Sequence, residues 1–271
     1  MESKVKIAVC SRSFSRNPIL RQELLSRYKT VTFNDSGEQL DGRGLVRFLK
    51  NHDKAITALE TIDESILSQL PQLKAIGKYG VGLDMIDMKA MIKYGVRLGW
   101  VAGVNRRSVS ELALSLMINM LRHVDVANSE VESGIWRQLL GKQLSGRTVG
   151  IIGCGHVGKD LTKLLKPFGC EILVNDILDY PLFFKEYDIQ RVTLPELMTS
   201  SDVVSIHVPL NMNTRGILDL KMLSLMKRSA ILINIARGGL VDELALKNML
   251  IDHRLSGAAF DVFDSEPPKD T

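Results

Sequence analysis

The sequence predicts an α/β protein built on parallel sheets and divided into two domains. Three observations carry this. Short apolar, β-branched runs alternate with segments of helical spacing along nearly the whole chain, the pattern of a parallel sheet wrapped by helices. The stretch 148–176, TVGIIGCGHVGKDLTKLLKPFGCEILVND, is one complete strand–turn–helix–strand unit. At 271 residues, the chain is long for one domain and comfortable for two.

The 148–176 unit organises the rest. Its opening run at 149–152 suits a buried strand. Gly153, Gly155 and Gly158 follow in G-x-G-x-x-G spacing around Cys154, His156 and Val157. Leu161, Leu164, Leu165 and Phe168 then recur at helical spacing. Gly153 allows a tight turn, Gly155 lets backbone N–H groups approach a pyrophosphate, and Gly158 allows close helix–strand packing. The start of the helix attracts the anion. A second strand over 172–174 leads to Asp176, 18 residues beyond Gly158, where a carboxylate can accept hydrogen bonds from both adenosine ribose hydroxyls. The cofactor this predicts is NAD, preferred over NADP because Asp176 would repel a 2′-phosphate and no arginine follows at Ile177 or Leu178.

Composition sets the bounds. With 45% hydrophobic and 24% charged residues, the chain reads as a globular protein with a sizeable core. A net charge of +4 with interspersed signs argues against nucleic acid as a main partner. No 18-residue apolar run or signal-peptide pattern occurs in the sequence, so no membrane partner is expected. Cys10, Cys154 and Cys170 form no metal-ligand spacing and read as reduced thiols of a cytoplasmic protein without a metal.

In chain order, strands are predicted at 5–10, 30–33, 54–57, 73–78 and 96–98. Helices are predicted between them at 18–27, 41–51, 63–70 and 87–93. Pro18 suits a first helical turn, and Asp41, Asp63 and Asp87 suit N-caps. The segment 78–84, KYGVGLD, is a strand end followed by a glycine-rich turn whose N–H groups could hold a carboxylate or simply form a tight turn. One long helix is predicted over 108–131, capped by Ser108 or Ser110, with Glu111 completing a capping box and Leu112, Leu116, Met120 and Leu121 forming its packed stripe. Beyond Asp176 come helix 194–199, strand 202–208, helix 220–226, strand 230–236, helix 242–252 and strand 257–263. Their strand ends carry HVPL, NIARGG and DVFDSEP, polar sets that should line one crevice beside the nucleotide.

GCGHVG with Asp176, then HVPL at 207–210, NIARGGLVDE at 234–243 and DVFDSEPP at 261–268, in this order and spacing, resemble the D-isomer-specific 2-hydroxyacid dehydrogenase family. KYGVGLD is similar to the substrate loop of its first domain. The resemblance implies two Rossmann-like domains with the active site in the cleft between them. The first, residues 1–100, would be a flavodoxin-like substrate-binding domain completed by a C-terminal returning helix; the second, 101–271, an NAD-binding Rossmann domain. It implies hydride transfer between nicotinamide and C2 of a small 2-hydroxy or 2-oxo acid, of the 3-phosphoglycerate, glyoxylate, hydroxypyruvate or D-lactate type.

The resemblance also implies roles. Arg237 grips the substrate's carboxylate and carbonyl oxygen in a bidentate fork. Glu266 hydrogen-bonds a catalytic histidine and raises its pKa. Asp261 takes the nicotinamide carboxamide. His207, Val208, Pro209 and Thr214 line the cofactor, as do Ile235, Ala236 and Arg237. Lys78, Tyr79, Gly80, Val81 and Gly82 bind substrate, Val81 and Gly82 through their amides. Lys78 and Met85 stand where many relatives have arginine and asparagine, which leaves the substrate open. The family's histidine would follow Thr271, and neither His207 nor His253 matches it. The 271 residues alone are therefore expected to bind NADH and turn over 2-oxoacids at most marginally. An NAD(H)-sensing binding protein or corepressor is the alternative, and a formate or phosphite dehydrogenase a third. A homodimer is expected through about 108–143, including Ile135 and Trp136.

Overall fold

The computed structural model describes residues 5–268. They form two compact units, one up to Val104 and one from Asn105 onward; the sequence reading divides the chain at 100/101.

In the first unit the order is β1 (Lys6–Val9), α1 (Arg12–Arg16), α2 (Pro18–Arg27), β2 (Thr30–Phe33), α3 (Gly42–Leu49) and β3 (Lys54–Thr57), followed by α4 (Glu64–Leu67), β4 (Ala75–Lys78), α5 (Met88–Lys93) and β5 (Arg97–Gly99). The five strands pair in the order β2-β1-β3-β4-β5, all parallel. This is the doubly wound order with its switch point between β1 and β3. Leu45, Leu49, Leu67 and Met91 from the helices close over Ala8, Ala55 and Ile76 of the sheet. Asp63 and Asp87 cap α4 and α5 through side-chain oxygens. Asp41 occupies the cap position of α3 but makes no such bond. The short α1 was invisible to periodicity because RSFSR has no apolar repeat; it is nucleated by Ser11, whose hydroxyl accepts from Phe14 N at 3.2 Å.

The second unit begins with α6 (Arg106–Arg122) and α7 (Val124–Glu132). The single helix expected over 108–131 is therefore corrected to two. His123 takes a left-handed conformation (φ 55°) and ends α6. Ser108 and Ser110 lie inside α6, not at its start, because their hydroxyls donate to carbonyls one turn back. The buried stripe is Ser110, Ala113, Met117 and Leu121, one position on from the expected one, and Leu112 is exposed.

Then come β6 (Thr148–Ile152), α8 (His156–Leu165) with a short 3₁₀ turn, β7 (Glu171–Asn175), α9 (Pro181–Glu186) and β8 (Ile189–Arg191). α10 (Leu194–Ser200), β9 (Val203–Ile206), α11 (Leu220–Leu223), β10 (Ile231–Asn234), α12 (Glu243–Ile251) and β11 (Gly257–Phe260) complete it. The six parallel strands run β11-β10-β9-β6-β7-β8, with the order reversing between β6 and β9. Both faces are covered: Val149 and Ile151 join one core cluster, while Ile152, Val204 and Leu232 join the other. That explains the unbroken apolar strand runs. β9, β10 and β11 stop two or three residues earlier than the apolar runs suggest, which places His207, Arg237 and Asp261 on turns instead of strands.

α6 and α8 are joined by a buried polar contact. Asp160, 7% exposed, accepts from Ser110 Oγ at 2.5 Å and Arg107 Nη2 at 3.1 Å. Ser110 keeps carbonyl partners without it, and Arg107 is half-exposed and can reach water. Asp160→Ala is therefore expected to lower stability by about 1–3 kcal/mol, below the range for stranding a fully buried charge. Urea denaturation of the two proteins measures it; an unchanged midpoint would refute the anchoring role.

Candidate functional site

The geometry gathers at the carboxyl ends of β6, β9, β10 and β11. Gly153 follows β6 with φ +95°. A β-carbon there would lie 2.7 Å from the His207 carbonyl at the end of β9. Only glycine tolerates both the positive φ and the contact. Gly158, in the first turn of α8, lies against the Gly153 carbonyl, where a β-carbon would come within 2.2 Å. Gly155 differs, since a β-carbon there would meet nothing within 4 Å. The turn is packed on one side and open on the other, and its open side is the N-terminus of the ten-residue α8, an anion-attracting end. His156 is exposed and Val157 half-buried on that first turn.

Asp176 follows β7 and is already bound to the turn. Its Oδ2 accepts from Cys154 N at 2.5 Å and its Oδ1 from Leu178 N at 2.8 Å. Each oxygen keeps a lone pair for a further donor, so the carboxylate is preset beside the glycine turn. Lys159 Nζ lies 3.3 Å from the centre of the Tyr180 ring, holding the next loop against α8. Burial drives the Cys154 thiol up to about 12, so it stays protonated and unreactive.

His207 Nε2 lies 2.8 Å from the buried Ser205 Oγ, and its backbone N donates to Ile152 O at 2.7 Å. Burial pushes its imidazole down to about 4, leaving it neutral at pH 7. Val208 and Pro209 continue from it. Thr214 closes that loop, donating to the Pro209 carbonyl at 2.6 Å.

At the end of β10, Ile235 is buried while Ala236 and Arg237 are half-buried. Arg237 Nη1 donates to the Ala236 carbonyl at 2.7 Å. Gly238 packs so tightly on the loop after β11 that a β-carbon would lie 1.9 Å from the Phe263 carbonyl. That loop carries Asp261, whose N donates to Asn234 O at 3.1 Å, and Glu266, whose Oε1 accepts from Phe263 N at 3.0 Å. Asp264 fastens it further, pairing with Arg215 and donating its N–H to Glu243 Oε1. Sequence reasoning placed Asn234, Asp264 and Glu243 within its motifs but gave them no role, and passed over Ser205, whose only signal is a polar residue interrupting an apolar strand run.

In the first unit, Tyr79 N donates to Thr57 O at 2.7 Å, and Tyr79 meets Phe14 edge-on at 5.3 Å. Gly80 has φ +136°. Trp100 Nε1 donates to the Val81 carbonyl at 3.1 Å, and Val81 and Gly82 are half-buried. Lys78 Nζ donates to the Ala58 carbonyl. Among the described residues no group of three or more His, Cys, Asp or Glu is placed to hold a metal ion, and no helix is long and apolar enough to cross a membrane.

This glycine turn, preset carboxylate and strand order define an NAD-binding unit, and the comparisons with known proteins agree. The family model for the NAD binding domain of D-isomer specific 2-hydroxyacid dehydrogenases matches residues 114–271. The chain is 34% identical over 230 residues to D-3-phosphoglycerate dehydrogenase of Methanocaldococcus jannaschii, which covers 83% of this chain but only 44% of that protein. Over 230 residues it is also 34% identical to glyoxylate reductase of Korarchaeum cryptofilum, covering 82% and 69%. The solved D-lactate dehydrogenase of Aquifex aeolicus, complexed with NAD and lactic acid, superposes with a TM-score of 0.83 at 27% identity over 96% of this chain and 77% of that one. The chain belongs to the D-isomer specific 2-hydroxyacid dehydrogenase family, an oxidoreductase family whose cofactor is NAD.

His207 gives this region a pH signature. Between the ordinary histidine value of 6.5 and about 4, the unfolded chain binds a proton that the folded chain does not. Its contribution to stability is therefore full above 6.5 and is lost as pH falls toward 4. His207→Gln should flatten the stability–pH slope in that window by about 1–2 kcal/mol, discounted for a half-buried ring. Urea midpoints at several pH values measure it; parallel profiles would show that the ring titrates normally.

Proposed function

We propose that the protein transfers a hydride between NAD and C2 of a small 2-hydroxy or 2-oxo acid, of the glyoxylate or hydroxypyruvate type. The observation that carries this is Arg237 on a turn clamped by Gly238 to the loop bearing Asp261 and Glu266. The chain spans less than half of the phosphoglycerate dehydrogenase it matches and more than two thirds of the glyoxylate reductase. NAD supplies the carbon that gives or receives the hydride. The protein's part is orientation and electrostatics. The N-terminal amides of α8, with Gly153, Gly155 and Gly158, receive the pyrophosphate, and Asp176 receives the ribose hydroxyls. Asp261 takes the carboxamide, while His207, Val208, Pro209, Thr214, Ile235 and Ala236 wall the cofactor. Arg237 holds the substrate carboxylate and C2 oxygen in a fork that aligns C2. Glu266 orients the acid that exchanges a proton with that oxygen. In the first unit, the 78–82 turn offers the amides of Val81 and Gly82 to a carboxylate. The three free, buried thiols suit a cytoplasmic setting.

Turnover of NADH against a panel of glyoxylate, hydroxypyruvate, pyruvate and 3-phosphohydroxypyruvate tests this. Arg237→Ala should lower kcat/KM by about 10²-fold or more while NADH affinity changes little. NADH should outbind NADPH by at least about tenfold, because Asp176 would repel a 2′-phosphate. NADH binding without turnover of any acid, in a protein that also carries the family's histidine segment, would instead point to a cofactor-sensing protein.

The protein also assembles, in this reading, as a homodimer through α6, α7 and the segment after them. Ile135, Trp136 (90% exposed) and Leu140 (85% exposed) stand uncovered there, large apolar side chains that a partner copy would cover. Light scattering at micromolar concentration should give twice the 30.2 kDa chain mass; a monomer would overturn the assignment.

A further inference from the structure

We infer that Asn234 is a positioning residue for Arg237, and this rests on the proposed substrate-binding role of that arginine. Asn234 ends β10 after three buried apolar residues and is itself 1% exposed. A carboxamide at such a depth is costly unless its polar atoms are paired. Both ends of this one are used on the same three-residue turn. Nδ2 donates to the Arg237 carbonyl at 2.9 Å, and Oδ1 accepts from Ala236 N at 3.2 Å. The backbone carbonyl of Asn234 receives the N–H of Asp261 at 3.1 Å.

These three bonds do separate things. The one to Ala236 N turns the chain out of the sheet, since that N–H would otherwise continue a ladder. The one to the Arg237 carbonyl fixes the peptide plane after the arginine, and with it the direction of its Cα–Cβ bond. The one from Asp261 ties the neighbouring turn to the same residue. A guanidinium recognises a carboxylate through a planar, paired geometry that tolerates little rotation. An error of a few tens of degrees at the root of this long side chain moves its end by ångströms. The Asn234 amide holds the root of the side chain through the Arg237 carbonyl, while Nη1 holds its far end through the Ala236 carbonyl.

Asn234→Asp keeps the acceptor for Ala236 N but sets an oxygen against the Arg237 carbonyl. Asn234→Ser removes the reach with no added charge or bulk, and serves if the first variant folds poorly. Both would be measured for NADH affinity by fluorescence, for binding of oxamate, a non-reducible 2-oxoacid analogue, to the NADH complex, and, in a protein that also carries the family's histidine segment, for kcat and KM with glyoxylate. The expected result is a rise of about tenfold or more in substrate KM and oxamate Kd, with NADH affinity within about threefold. In an Arg237→Ala background the same Asn234 substitutions should have no further effect on oxamate, because residues acting as one unit are non-additive. Additive losses, or a loss of NADH affinity as large as that for oxamate, would mean a merely structural role and overturn the inference. Amide exchange over 235–239 separates this failure from failure of the functional reading. If wild type neither turns over nor binds oxamate, the role of Arg237 is wrong and the inference falls with it, whatever the exchange shows. If wild type binds oxamate and the Asn234 variants speed exchange without weakening that binding, only the positioning role falls.

Discussion

The second unit depends on two side chains being absent. Gly153 and Gly158 let β6, the start of α8 and the end of β9 approach closer than any β-carbon permits. The N-terminus of α8 thereby lies where strand order reverses and the sheet opens, the place where open α/β sheets bind ligands. The glycines would be insufficient without Asp176, which is hydrogen-bonded to the turn through Cys154 N. The amides that attract an anion and the acceptor for hydroxyl donors are thus parts of one bonded piece. At the other end of that first turn, Asp160 pins α8 to α6, so the helix cannot rotate away from the strand it starts from.

A second close approach governs the other half of the site. Gly238 brings the Arg237 turn onto the loop after β11, and Asp264 fastens that loop to Arg215 and α12. The arginine and Glu266 stand on different connections, 29 residues apart in sequence, yet the two connections touch where Gly238 lies against the Phe263 carbonyl. Loops that must keep two charged groups in register cannot rely on long-range charge attraction, which solvent screens within about 10 Å. Backbone contact and short hydrogen bonds set the spacing instead.

Much of this was legible in the sequence because the controlling features are local. The G-x-G-x-x-G spacing, the apolar run before it and the acid after the second strand all fall within 148–176, where strand, turn and helix are set by neighbours in the chain. Strand ends were read too long because hydrophobicity reports burial and not pairing: Ile235 and Val262 are apolar, but no ladder continues there. The break at His123 was hidden because histidine carries no glycine-like signal for a left-handed conformation, although it adopts one here. Asn234 and Asp264 were read only as members of strand-end motifs, and Asp160 was passed over, for a different reason. Each matters through a partner from another element, and pairing across elements leaves no spacing in one sequence.

Burial also controls charge around the glycine turn. Cys154 sits in the turn itself, and a thiolate there would oppose any anion arriving at the start of α8, at a distance where like charges interact strongly in a low-dielectric setting. Its burial holds the thiol protonated, with Asp176 adding to the effect. His207 packs against the same turn and is kept neutral by its own burial, so it supplies shape and a bond to Ser205, not charge. The turn is left with the partial positive charge of the helix end facing outward and one fixed carboxylate to the side. That combination favours an anion at the start of α8 and places a fixed negative charge beside it at Asp176. Silencing a thiol and an imidazole by burial is therefore as much a part of the site as placing Asp176.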